Sequence, residues 1–175
     1  MALGRRRALL IGAVGVAAAA AGALAGLGLR RSANGSAALQ AAEFTDLKGR
    51  TRRLAEWKGK VVLCNFWATW CSPCREEIPM LVALSREMAS KEVQVVGIAL
   101  DSTPKVGEFA RDYKVSYPLL LAGPDGIDLM RAVGNQVGGL PYTVFLDRQG
   151  RIVNRKLGAL KEAEVRGRLA EMLRA

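Results

Sequence analysis

Residues 60–67, KVVLCNFW, make an apolar run of β-branched and aromatic residues that is too short for a helix, and Cys71-Ser72-Pro73-Cys74 follows four positions later. Such a run predicts a buried strand. From Ser72 to about Ala89 the apolar residues return at helical spacing, at Ile78, Leu81, Leu84 and Met88. The cysteine pair therefore lies where a core strand turns into a helix, and the rest of the chain must supply elements that bury both. Val93 to Leu100 reads as a second near-continuous apolar strand, Val106 to Tyr113 as a helix and Tyr117 to Leu121 as a strand. Asp128 to Val133 reads as a short helix, and Pro141 to Asp147 as a strand that turns at Gln149-Gly150 into Arg151 to Lys156. Lys161 to Leu173 is a C-terminal helix with Val165, Leu169 and Leu173 on its apolar side. Ahead of these, Lys48-Gly49 marks a hairpin within Phe44 to Thr51. Strands alternating with helices imply an α/β domain with a mainly parallel central sheet, helices on both faces and an antiparallel pair at the end.

The front of the chain has another character. Ala8 to Leu29 is a run of 22 residues without a charge, bracketed by Arg5-Arg6-Arg7 and Arg30-Arg31. As a helix it would rise about 33 Å, enough for the hydrocarbon core of a bilayer. We expect residues 1–31 to be a membrane anchor or export signal, residues 32–42 a linker, and residues 43–175 the folded domain. Three arginines and the amino terminus before the run, against two arginines after it, point to a cytoplasmic N-terminus and an exported body. Arg6-Arg7-Ala8-Leu9-Leu10 is loosely similar to a twin-arginine signal, and Ser36-Ala37-Ala38 would serve as a small-residue cleavage site if the segment were cut. The expectation is an uncleaved anchor on the periplasmic side of a bacterial inner membrane; the alternative is a soluble periplasmic protein.

The net charge of +10 invites a nucleic-acid reading that the distribution does not support. Half of it belongs to the five arginines in the first 36 positions, and the remaining charges form no basic stripe interleaved with aromatics. The chain contains no histidine. Serine triads, cysteine–histidine proteases and histidine-ligated metal sites lose their usual base or ligand, so the chemistry must come from thiols, carboxylates, lysine or backbone.

A cysteine at a helix N-terminus faces unpaired N–H groups and the positive end of the helix dipole, and both favour thiolate over thiol. Cys71 occupies that position; Cys74 follows one turn later on the same side. Pro73 fits a first helical turn, where its missing N–H costs nothing. The pair thus offers an exposed nucleophile and a sheltered resolver. A haem attachment site needs histidine after the second cysteine, where Arg75 stands. A structural zinc site needs four ligands, and the chain has three cysteines. A purely structural disulfide remains as an alternative, weakened because closing so small a ring removes little unfolded-state entropy.

WCSPC after an apolar strand, Pro79 five residues beyond the second cysteine, and Gly139-Leu140-Pro141 before a strand together resemble the thioredoxin superfamily. GKVVLCNFWATWCSPCREEIP, with the segment between Ser85 and Gly139, resembles more narrowly the exported, membrane-anchored TlpA/ResA-like thiol-disulfide oxidoreductases. The resemblance spans about residues 43–175. It implies a thioredoxin-like fold: a central mixed sheet flanked by helices, with an N-terminal β-hairpin extension and a central insertion. It further implies a redox-active Cys71–Cys74 disulfide, a cis Pro141 beside it, and Trp67 and Trp70 packed around it, with Trp70 facing outward. Thioredoxins proper carry a buried aspartate where this chain has Asn65, so another group must take the proton of Cys74. Related exported members place an acid at the end of the next strand, which marks Asp101, assisted by Glu108. Cys64 has no partner in the motif and is expected to be a small buried strand residue.

The implied activity is reduction of disulfides in exported client proteins, for example apocytochrome c or copper-site cysteines. Thiolate exchange needs no prosthetic group. The implied partners are disulfide-containing exported proteins, a membrane dithiol electron donor and, through the N-terminal segment, the lipid bilayer. The runner-up readings are a periplasmic disulfide oxidase or isomerase and, in a different class, a Cu(I)-thiolate carrier.

Overall fold

The computed structural model describes residues 34–174. The segment read as a membrane anchor or signal, 1–31, lies outside them; no helix among the described residues is long and apolar enough to cross a membrane.

The central strand is β3 (Val61–Trp67), buried along its whole length. It pairs in parallel with β4 (Val93–Ala99), which pairs in parallel with β5 (Leu119–Leu121). On its other side β3 runs antiparallel to β6 (Tyr142–Leu146), and β6 is antiparallel to β7 (Ile152–Leu157). The predicted hairpin, β1 (Phe44–Asp46) and β2 (Thr51–Arg52), extends the sheet beyond β5. The order is β2-β1-β5-β4-β3-β6-β7 in one mixed sheet of seven strands. This is the thioredoxin-like arrangement with an N-terminal hairpin that the motifs imply.

Residues alternate across β3, so each face of the sheet buries its own cluster. Val61, Leu63 and Trp67 pack under α2 (Ser72–Met88) and α5 (Glu162–Arg174), with Leu81, Val165 and Leu169. Val62, Cys64 and Phe66 point the other way, towards Leu39 and towards Met130 of α4 (Gly126–Ala132).

Several boundaries differ from the sequence reading for local reasons. α3 (Thr103–Asp112) begins before Val106, because Ser102 is its N-cap and Pro104 fits its first turn. β5 begins at Leu119 rather than Tyr117: Pro118 has no N–H to give a ladder, although its carbonyl accepts from Gly97 N–H at 2.9 Å. The largest difference is at the supposed linker. Residues 34–41 form a helix, α1. Leu39 is fully buried, Ser36 Oγ accepts from Ile152 N–H at 2.9 Å, and Gln40 Nε2 donates to the Gly150 carbonyl at 3.3 Å. The domain therefore starts by residue 34, docked on the β6–β7 hairpin.

Candidate active site

β3 ends at Trp67 and the chain turns sharply, Cys71 N–H donating to the Ala68 carbonyl at 3.2 Å, before α2 begins. Cys71 is the N-cap of α2, Pro73 lies in its first turn, and Cys71 Sγ accepts from Cys74 N–H at 3.3 Å. A 17-residue helix thus points its positive end at this sulfur. Cys71 and Cys74 are joined as a disulfide, with Cα atoms 5.3 Å apart. Cys74 is fully buried. Cys71 is more sheltered than the sequence implied, with 6% of its surface open, because the Ala68–Cys71 turn folds back on it.

The residues implied around the pair are placed as follows. Trp67 is fully buried and packs on Phe109, ring centroids 4.9 Å apart, while Trp70 is 69% exposed next to Cys71. The Leu140–Pro141 peptide is cis. Tyr142 lies opposite Phe66 in the β3–β6 ladder, so Pro141 falls at the end of the sheet from which the cysteine loop departs. Cys64 is fully buried on the opposite face, between Val96 and Val144 in the register, and burial pushes its thiol well up.

Asp101 follows β4, as the sequence indicated, and its carboxylate is occupied. Its Oδ2 accepts from the hydroxyl of Thr69 and, at 3.3 Å, from Thr69 N–H; Oδ1 accepts from Ser102 N–H at 2.8 Å. Burial pushes this carboxyl up, but the Thr69 and Ser102 bonds outweigh it and leave it below the ordinary value. Asp101 is thereby held as a carboxylate that fastens the cysteine loop to the end of β4. Glu108 lies with Thr69 around a shallow depression beside that loop.

A second carboxylate went unnoticed in the sequence. Glu77 stands three residues after Cys74 on α2, hence one turn along the same helix face, and is only 4% exposed. Asn65 Nδ2 donates to Glu77 Oε1 at 2.7 Å and to Thr143 Oγ1 at 3.0 Å; the backbone N–H of Leu160 donates to Glu77 Oε2 at 2.7 Å. Burial pushes Glu77 up, and the two bonds to its oxygens offset only part of that, so it ends above its ordinary value of 4.5. The same charge, added to burial, pushes the Tyr117 hydroxyl up as well. Glu77 is thus a buried, proton-avid group one turn behind Cys74, clamped by Asn65 of β3 and by the loop before α5. Its signal in the sequence was an acid in the helical column of Cys74, Ile78 and Leu81, together with a polar Asn65 at an inward position of a core strand.

A buried disulfide between cysteines three residues apart at the head of a helix, delivered by the central strand of a thioredoxin-like sheet, defines a thiol-disulfide oxidoreductase. The chain belongs to the Redoxin family, whose model matches residues 33–170. It is similar to the thiol-disulfide oxidoreductase ResA of Bacillus thuringiensis (strain Al Hakam), 31% identical over 129 residues that cover 73% of this chain and 72% of the relative. It is also similar to the thioredoxin-like protein YneN of Bacillus subtilis (strain 168), 36% identical over 136 residues, 74% of this chain and 76% of that one. Among solved structures, a thioredoxin-family thiol:disulfide interchange protein from Chlorobium tepidum TLS superposes with a TM-score of 0.67 at 28% identity, covering 75% of this chain and 94% of its own.

Proposed function

We propose that the protein reduces disulfides in exported client polypeptides on the periplasmic side of the bacterial inner membrane, held there by its N-terminal segment. The Cys71 thiolate attacks one sulfur of a client disulfide, forming a mixed disulfide and releasing the other client sulfur as a thiolate. The Cys74 thiol then gives its proton to Glu77 and attacks Cys71 Sγ. This forms the Cys71–Cys74 disulfide and frees the second client sulfur, so two electrons have passed from the pair to the client. A membrane dithiol donor returns the pair to its reduced form. Clients awaiting a haem or copper at reduced cysteines fit this cycle.

The observation that carries the reading is the pairing of Cys71 at the helix head with a buried, proton-avid Glu77 one turn behind Cys74. In this assignment Glu77 replaces Asp101 as the group that takes the Cys74 proton. Asp101, its carboxyl lowered by its bonds to Thr69 and Ser102, has the weaker hold on a proton, which suits a positioning residue for the loop. Trp70 and the cis Pro141 loop flank the client at the site of attack.

Equilibration with graded thiol buffers tests the direction of electron flow. A midpoint near or below about −220 mV supports reduction, and one near −120 mV identifies an oxidase instead. Cys74→Ser should accumulate long-lived mixed disulfides with clients. Stoichiometric Cu(I) binding without trapped partners would overturn exchange in favour of a metal carrier.

A further inference from the structure

The β1–β2 hairpin and α3 stand side by side at one edge of the sheet and leave a trough between them. Two open depressions, of about 400 and 560 Å³, share Leu47, Ala110 and Val115 and so form one groove. These three side chains are half-buried against the core, which makes the floor apolar. On the helix wall Thr103, Gly107 and Ala110 fall on one face at helical spacing. Gly107 keeps that wall low: a Cβ there would meet no side chain but Arg111, 3.8 Å from its Nη1.

The rims are cationic. Lys48, Arg50 and Arg52 stand on the hairpin side and Arg111 on the helix side. The one acid that lines the groove, Asp46, is engaged within the hairpin. Its Oδ1 accepts from the N–H groups of Lys48 at 2.8 Å and Arg50 at 3.0 Å, and its Oδ2 from Arg50 Nε at 2.8 Å. Arg50 is thus paired with Asp46, and Arg52 with Glu56. Neither the Lys48 ammonium nor the Arg111 guanidinium has a carboxylate within ion-pair distance among the described residues. One uncompensated positive charge therefore stands on each side of an apolar floor.

We infer that this groove docks an acidic segment of a partner polypeptide, about five residues long and carrying a leucine-sized side chain at its centre. The length follows from α3, whose ten residues rise about 15 Å, a distance that an extended chain covers in about five residues. The sign follows from Lys48 and Arg111, and the central apolar side chain from the low wall at Gly107, so floor and rims are complemented together. The bilayer is not the occupant. Residue 34, where the segment read as an anchor joins the domain, lies in α1 on the other face of the sheet, by the β6–β7 hairpin at the opposite edge. The head of the groove is Thr103, two residues beyond the carboxylate that fastens Thr69, and no residue of the cysteine loop lines it. Docking therefore leaves Cys71 open to exchange, and it is independent of the direction of electron flow.

The test is fluorescence anisotropy with the oxidised full-length protein in neutral detergent, at about 20 mM salt. The probe is a labelled peptide with a leucine between two pairs of acidic residues; one control replaces the acids with lysine, the other the leucine with serine. The acidic leucine peptide should bind saturably, and each control at least about tenfold more weakly. Lys48→Glu/Arg111→Glu should weaken binding of the probe by more than about tenfold. Gly107→Leu, which fills the groove without changing its charge, should weaken it by about tenfold. Lys48 and Arg111 are exposed, and replacing a helical glycine that faces open space improves helix propensity, so folding is not at risk. Both variants, once reduced, should match the parent in exchange with hydroxyethyl disulfide, a small neutral substrate that needs only Cys71. Failure of that reaction in the parent would strike the exchange reading and leave the docking measurement standing. Absence of saturable binding, equal binding of the lysine peptide, or binding that Gly107→Leu leaves intact overturns the groove. Capture of phosphatidylglycerol mixed micelles in place of the peptide, lost on the same substitutions, also overturns it and assigns the charges to lipid.

Discussion

Cys64 and Cys74 are equally inaccessible, both with no exposed surface, yet they sit on opposite faces of one sheet in opposite chemical settings. Around Cys64 the strand neighbours are Val96 and Val144, and nothing offsets the burial that raises its thiol. Around Cys74 the core admits a polar group at three inward positions, Asn65, Thr143 and Glu77, and these bond to one another and to Leu160. Burial alone therefore does not make a resolving cysteine; it makes an inert one. In the cycle proposed above, a buried thiol becomes reactive through a helix N-terminus carrying a partner sulfur and, in Glu77, a proton acceptor buried alongside. Glu77 is kept away from water by the same packing that keeps Cys74 from it, and that is what raises its proton affinity.

The comparison breaks most visibly at the sulfurs themselves. Cys71→Ser should lower client reduction by roughly a thousandfold or more, because a hydroxyl at that position is not ionised at neutral pH and cannot form the mixed disulfide. Removing Cys64 should leave the rate within twofold in the same assay.

The next largest effect separates the two steps of the cycle. Glu77→Gln removes the acceptor while keeping the shape, so release of the client from a preformed mixed disulfide should slow by about a hundredfold, with formation of the mixed disulfide affected far less. Rapid-quench measurement of both steps checks this; equal slowing of the two would move the role of Glu77 from proton transfer to loop positioning. The same variant has a stability signature. A carboxyl raised in the folded state favours folding where it is protonated and loses that advantage as pH rises above its unfolded value, ordinarily 4.5. Wild-type stability should therefore contain a component that declines from about that pH upward, and Glu77→Gln should flatten it in urea titrations across the range. Asp101 has the opposite sign: its lowered carboxyl favours folding above its unfolded value, and the advantage is lost as pH falls.

These tests fall on residues that differed in how legible they were. The strand β3 and the helix α2 were readable because periodicity is a local property: seven consecutive residues, all buried, can hardly be anything but a central strand. The redox pair was readable because its chemistry depends on its neighbours in sequence. Glu77 was not. Glu76 beside it is an exposed acid in the first turns of the same helix, and acids there are ordinarily solvated partners of the helix dipole. What distinguishes Glu77 is the N–H of Leu160, 83 residues away, and no local pattern announces that bond. α1 was hidden for the same reason. Its small residues look like a linker, and its helix is held by Leu39 in the core and by bonds to a hairpin more than a hundred residues further on. Asp101 shows the converse: its place in the chain was right, but its carboxylate is turned to Thr69, a contact that only the folded loop determines.

The smallest effect sharpens the comparison from the inert side. If Cys64 is merely a packed apolar group, Cys64→Ala should cost about 1 to 2 kcal/mol, the transfer free energy of the lost sulfur plus a small cavity between Val96 and Val144. Cys64→Ser, nearly the same size, should cost more than Ala, because a hydroxyl there would sit in the apolar cluster that Leu39, Val96, Met130 and Val144 form on that face of the sheet. Urea midpoints should thus fall in the order Cys, Ala, Ser, with the slope of each transition unchanged. Neither substitution should alter the midpoint potential of the Cys71–Cys74 pair, since that potential depends on groups beneath α2 and the sheet separates them from Cys64. A shift of more than about 30 mV, an order of magnitude in the exchange equilibrium, would show that the two faces are coupled through β3.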